Sequence, residues 1–261
     1  MNDRKVFRLC FFLILCLSFV LSGCVTESTD GKPARVVDRE ESLKLHIQLV
    51  KGYVEKKNRE SARHHIRKAM EIDKNSAEVL GALALVYQLE GENPLAEETF
   101  KKAIKKDKNA SAIHNNYGFF LFGLKRYEDA LKQFEAAAAN LDFDGRAEAL
   151  INVGRASLLL GNTARAKAAF EHATILNRGL PEPFIELADI HFIEQEYPKA
   201  KEYLDRFMNL GQQTARSLLL AIRLERMFGN KDKEASYVLV LKNRYPYSKE
   251  YLEYRQTLRH Q

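Results

Sequence analysis

The stretches ARHHIRKA at 62–69, AEETFKKA at 96–103, ALKQFEAA at 130–137 and AKAAFEHA at 166–173 share one pattern. A small residue leads, a large apolar residue follows four positions later, and an alanine comes three after that. The sets are Ala62, Ile66, Ala69; Ala96, Phe100, Ala103; Ala130, Phe134, Ala137; and Ala166, Phe170, Ala173. A weaker fifth set is Ala200, Leu204, Phe207, and the leading alanines are separated by 34, 34, 36 and 34 residues. Steps of four and three place all three side chains on one helix face. Two helices that cross at about 8–10 Å leave no space for a large side chain at the crossing, which explains the alanines.

Each of these segments is preceded by another with helical periodicity. Leu80, Leu83, Ala84 and Tyr87 form one apolar face, and Tyr117, Gly118 and Leu121, then Leu150, Val153 and Gly154, repeat it. Breakers separate the paired helices: EGEN at 90–93, GLKR at 123–126, LGNT at 160–163, EQEY at 194–197 and FGNK at 228–231. A helix–turn–helix unit of 34 residues resembles the tetratricopeptide repeat. The resemblance implies an all-α fold, a right-handed superhelix of six units at about 43–76, 77–110, 111–146, 147–180, 181–214 and 215–248, followed by a helical cap. The sixth unit departs from the pattern around Glu234 and Ala235 but keeps Pro246 at the expected place. One pair cannot bury its apolar face alone, so pairs stack, and the first helices line a concave surface suited to a protein partner.

Composition agrees. The 261 residues include 6 prolines, 13 glycines and no tryptophan, a helical balance. The 41 basic and 35 acidic residues are interspersed, which argues against a nucleic-acid stripe.

The N-terminus tells where the stack would work. Arg4, Lys5 and Arg8 precede LCFFLILCLSFVL at 9–21, 13 uncharged and almost wholly apolar residues. That is short of the about 20 needed to span a bilayer but suits a secretory signal peptide. LSGC at 21–24 follows directly and resembles the lipobox of bacterial lipoproteins. The resemblance implies cleavage before Cys24, with a diacylglycerol on its sulfur and an N-acyl chain on its new amino group; domain boundaries are then 1–23 signal peptide, 24–40 polar tether and 41–261 repeat domain. Cys10 and Cys16 leave with the signal peptide, so no disulfide is expected. Val25, where inner-membrane lipoproteins of this type carry Asp, implies the periplasmic face of the outer membrane. The polar run from Val25 to about Asp38 reads as a flexible tether, with a root-mean-square span of about 20 Å.

No catalytic pattern emerges, and no enzyme activity is expected. GRASLLLGNT at 154–163 lacks phosphate-loop spacing and its lysine. His64 and His65 are adjacent, so they diverge on a helix, and no HExxH occurs. His114 and His191 lie on first helices without acidic or thiol partners at ligand spacing. No cofactor, metal, nucleic acid or small-molecule substrate is expected. The binding surface is expected in HNNYGFFLFGL at 114–124. With Tyr117, Gly118 and Leu121 turned toward the next helix, Asn115, Phe119 and Phe122 point to the concave side and Asn116 sits at its edge. Asn152 and Arg155 take similar places in the fourth unit, Asp189 and Phe192 in the fifth. Asparagine amides there can hydrogen-bond a peptide backbone, and exposed phenylalanines give it an apolar seat.

The lipobox, the short tether, six repeats, the NNYG run with its phenylalanines and LKNRYPYS at 241–248 together resemble the PilF/PilW type IV pilus biogenesis lipoproteins. Members of that family are pilotins. The resemblance implies that secretin subunits of the PilQ type are the partner, and that their delivery to the outer membrane and their multimerisation are the task. A second reading keeps the fold and changes the cargo: a scaffold of outer-membrane protein insertion, or an adaptor for cell-wall enzymes.

Overall fold

The structure is a computed structural model and describes residues 38–258. The chain divides into two compact units, Met1–Ser42 and Leu43–Gln261. Of the first, only residues 38–42 are described, and they open a helix that starts at Arg39, inside the segment read as tether. The signal peptide, Cys24 and the rest of the tether lie outside the described residues.

Thirteen α-helices and no strand occur among the described residues. They are α1 (Arg39–Glu55), α2 (Arg59–Ile72), α3 (Ala77–Glu90), α4 (Asn93–Lys106), α5 (Ser111–Gly123), α6 (Tyr127–Ala139), α7 (Arg146–Leu159), α8 (Thr163–Leu176), α9 (Glu182–Ile193), α10 (Tyr197–Asn209), α11 (Ala215–Met227), α12 (Lys231–Arg244) and α13 (Lys249–Thr257). They form six helix pairs and a cap, and the degenerate sixth unit pairs α11 with α12 like the others. None of these helices is long and apolar enough to cross a membrane.

The repeat is visible in the backbone itself. Every turn within a pair contains one residue in the left-handed region: Lys57, Gly91, Lys125, Gly161, Gln195 and Gly229, with φ between 55° and 85°. Their spacing follows the alanines, 34 apart except for one step of 36. Glycine suits this conformation, and the other three positions hold a side chain there at some cost. At the first four junctions between pairs the device differs, while the fifth turns on left-handed Gly211. The side-chain oxygens of Asp73, Asp107, Asn140 and Asn177 each accept the backbone N–H two residues on, at 2.8–3.0 Å. Such turns stop one helix and aim the next. Ser76, Asn162 and Ser248 cap α3, α8 and α13, and Thr214 and Ser217 form a reciprocal capping box on α11.

The pattern residues form the core. Ala62, Ala96, Ala130, Ala166 and Ala200 are fully buried, as are Phe100 and Phe170, with Phe134 at 1% exposure. One cluster runs from Ala77 through Phe100, Tyr117, Leu121 and Phe134 to Val153 and so ties three units together. Phe100 stacks on Tyr117 with centroids 5.3 Å apart. At the far end Leu218, Ile222 and Leu241 pack with Tyr251 and Tyr254 of α13, which covers the apolar side of the last pair.

Candidate functional site

The sequence of α5 decides what the first helices present. Tyr117, Gly118, Phe120 and Leu121 are buried within the stack. Four residues expected on the binding face, Asn115, Asn116, Phe119 and Phe122, remain, and they separate into different roles. Phe119 is 44% exposed, with its ring edge-on to Phe134 at 5.5 Å. Phe122 is half-buried: it meets Tyr127 at 5.2 Å and packs against the core cluster. Asn115 accepts a hydrogen bond from Asn152 Nδ2 at 3.1 Å. Asn116 keeps company with Phe119 in an open cleft of about 660 Å³.

That cleft draws its walls from three first helices. Val54 closes α1, Leu85, Gln88 and Leu89 come from α3, and Asn116 and Phe119 from α5; Lys57 and Arg59 stand at the α1–α2 turn. Its chemistry is an apolar floor with two amides and two cations. Leu85 and Gln88 are not among the residues expected on the binding face. Their signal was available: they stand 34 residues before Phe119 and Phe122.

Further along the stack the same face is occupied by bonds between units. Asn152 is 3% exposed and held between Asn115 and Arg155, whose Nη1 lies 3.5 Å from its carbonyl oxygen. Arg155 pairs onward with Glu182. Arg216 donates to both oxygens of Glu186 at 2.7 and 2.9 Å and also pairs with Asp189. Burial pushes the carboxyls of Glu182 and Asp189 up, and the facing arginines offset only part of that. Asn152, Arg155 and Asp189 therefore brace neighbouring units in this structure. Phe192 leans on Tyr197 at 5.5 Å, half-buried. One helix position changes character along the stack: Leu85, Phe119, Arg155, Asp189, Arg223. The face is apolar in the second and third units and ionic from the fourth.

His191 departs from expectation. It has acidic partners after all, at i+3 and i+5. Its Nδ1 lies 2.6 Å from Glu196 and 3.7 Å from Glu194, and its ring stacks on Tyr203 at 5.3 Å. The left-handed Gln195 folds the turn back and brings both glutamates to the ring, which helix spacing alone does not anticipate. The three ligand atoms lie within 4.8 Å of one another, and the Lys167 ammonium sits 2.6 Å from Glu194. The lysine already meets the charge of this cluster. His114, by contrast, bonds Gln133 at 2.8 Å and the Lys108 carbonyl at 3.0 Å, a packed histidine as read.

Comparison with known proteins agrees with this layout. A tetratricopeptide repeat model matches residues 147–179, the fourth unit. The type IV pilus assembly protein PilF of Pseudomonas aeruginosa is 42% identical over 243 residues, which covers 93% of this chain and 96% of that protein. The chain belongs to the PilF family. The solved Pseudomonas aeruginosa PilF structure superposes with a TM-score of 0.77, over 84% of this chain and 99% of that one. The structure of PilW, described as a widely conserved type IV pilus biogenesis factor, is 25% identical with a TM-score of 0.67, over 81% of this chain and 97% of that one. The expected fold and family are thus shown, and the PilF-family repeat stack is that of a type IV pilus biogenesis protein.

Proposed function

We propose that this PilF-family protein is a lipid-anchored pilotin. It binds secretin subunits and promotes their localisation and multimerisation at the outer membrane. Family membership supports the pilus context. The observation that carries the binding half is Phe119: a large aromatic left 44% exposed beside Asn116, over an apolar cleft, in a repeat whose other aromatics are packed. A monomeric fold gains nothing from that exposure, whereas a peptide partner seated on it would bury the ring and bond the amides. The protein acts as a scaffold and performs no chemistry of its own.

The anchoring half rests on LSGC and the apolar run before it. Acyl chains on Cys24 fix the location, and the tether lets the stack reach a membrane-embedded ring. Holding subunits beside the membrane raises their local concentration there, which favours ring assembly over aggregation. Cys24→Ser tests it. Fractionated membranes should show secretin rings displaced from the outer membrane while the repeat domain remains folded. Rings that still reach the outer membrane would refute the anchoring role. Loss of surface pili and twitching, rather than a general envelope defect, separates this reading from a scaffold for outer-membrane protein insertion or cell-wall enzymes.

A further inference from the structure

The surplus positive charge of the repeat domain is concentrated in its first two units. Residues 43–110 contain 14 Lys and Arg against 10 Asp and Glu, whereas residues 111–258 contain 20 against 19. Within the first two units the charge gathers where the second helices end. Arg67 and Lys68 lie on α2 with Lys74 in the turn after it; Lys101, Lys102, Lys105 and Lys106 lie on α4 with Lys108 in the turn after it. All eight side chains are exposed. Glu71, Glu97 and Glu98 pair with Lys68, Lys101 and Lys102. Arg67, Lys74, Lys105, Lys106 and Lys108 form no ion pair with any described carboxylate.

The helix dipole accounts for lysines in the last turn of α4. It does not account for Lys74 and Lys108, which stand beyond the helix ends at equivalent places 34 residues apart. The corresponding turn position is Asp142 in the third unit, Arg178 in the fourth and Gln212 in the fifth, so the charge is not fixed by the repeat, and only the first two units join it to further free cations on the preceding helix. Nor does α4 offer a peptide an apolar floor beside these lysines: its buried residues Ala96, Thr99, Phe100 and Ala103 are covered by the stack. Arg67 lines an open cleft of about 600 Å³ with Met70 and Tyr87, whereas flexible lysines spread over the ends of two successive units suit a flat anionic surface more than a shaped ligand.

We propose that this edge of the first two units docks on the headgroups of an anionic phospholipid membrane. The number of free cations falls in the range that recruits proteins to acidic lipid. The stretch from Cys24 to Arg39 is short enough to hold this end of the stack, rather than the far end, near a bilayer. The inference rests on the anchor reading for that biological setting alone. Docking orients the stack, so that the protein is held by two contacts, acyl chain and charge, instead of swinging on a single tether.

The test removes the lipid anchor. Among the described residues every core residue lies between Leu43 and Tyr254, so a chain of residues 38–261 carries the stack described above. It is sedimented with vesicles of phosphatidylglycerol and phosphatidylcholine, and with phosphatidylcholine alone. Binding to the anionic vesicles only, abolished near 0.5 M salt, is expected. The triple substitution Lys105→Glu, Lys106→Glu, Lys108→Glu should weaken it by about 100-fold or more, at roughly fivefold per lysine. A control triple of equal charge, Lys125→Glu, Lys231→Glu, Lys233→Glu, should weaken it far less; circular dichroism checks that both fold. No preference for anionic vesicles overturns the proposal, as does an equal loss in both triples, which would reflect net charge alone. Because no acyl chain is present, either failure is distinct from a failure of the Cys24→Ser test.

Discussion

Gly154 faces the ring of Phe170 so closely that a Cβ on it would lie 2.5 Å from the ring's Cε1. The third unit repeats the arrangement with Gly118 and Phe134, at 2.6 Å. The fifth unit solves the same contact differently, with Ala188 sixteen residues before Leu204. The second unit holds Ala84 sixteen residues before a buried Phe100, so a methyl and a phenyl ring can share the crossing, but Phe170 lies too close to Gly154 for a Cβ unless the ring shifts. Gly154→Ala gains about 1 kcal/mol of helix propensity and loses about 1–3 kcal/mol to overpacking. Urea unfolding should show net destabilisation. Adding Phe170→Leu, which imitates the fifth unit, should recover part of the loss, a non-additivity that two independent sites would not give.

The alternation of left-handed residues gives a second expectation. Lys125 has φ 61° at a turn where Gly91 and Gly161 do the same work in neighbouring units. Its Cβ crowds the following carbonyl, at about 1–2 kcal/mol, while glycine there adds about 0.4–1 kcal/mol of unfolded-state entropy. Lys125→Gly should therefore raise the thermal midpoint modestly. A drop in the midpoint would show that the side chain makes a contact worth more than the strain.

Much of this was legible in the sequence because the repeat states it five times. The alanine crossings, the aromatic between them and the breakers are local in sequence, and the structure places them as their spacing requires. What escaped notice depends on neighbouring units. Glu225 is 1% exposed, a buried carboxylate on a first helix; Lys201 of the preceding unit lies 2.9 Å away and Asn230 2.6 Å away. Burial pushes its carboxyl up, yet these two donors with the nearby lysine charges hold it below its ordinary value. Nothing in the stretch around Glu225 announces that. Asn152, Arg155 and Asp189 illustrate the same limit: their helix phase was readable, but the residues that meet them, Asn115, Glu182 and Arg216, are 27–37 positions away.

The N-terminal pair contains a histidine contact that titrates. His46 Nδ1 and His65 Nδ1 lie 3.1 Å apart, with Tyr53 stacked on His65 and His64 edge-on to it. Burial, then the charges of His46 and His64, hold the His65 imidazole below its ordinary value. Protonation of His65 would place a cation against the His46 ring nitrogen that now shares its hydrogen bond. A histidine with a lowered folded-state pKa stabilises the fold above its unfolded value of about 6.5, and that contribution fades as pH falls through the folded value. The thermal midpoint should fall between pH 7.5 and pH 5.5, and His65→Phe should reduce the fall. Equal pH dependence in wild type and variant would assign the effect elsewhere.

Phe119 and Phe122 sit one helical turn apart and should behave oppositely. Phe122 packs against Tyr127 and the core cluster, so Phe122→Ser removes buried apolar contact and should cost about 3 kcal/mol in denaturant unfolding. Phe119 leaves 44% of its surface to solvent and stands over the cleft with Asn116 and Leu85. Phe119→Ser should cost clearly less stability, since its ring is the more exposed of the two and meets Phe134 edge-on. In a pulldown of secretin subunits the order should reverse, with Phe119→Ser weakening capture at least tenfold. Phe122→Ser, assayed well below its unfolding midpoint, should capture nearly as well as wild type. Capture that tracks stability alone would make both phenylalanines packing residues and leave the cleft without a partner.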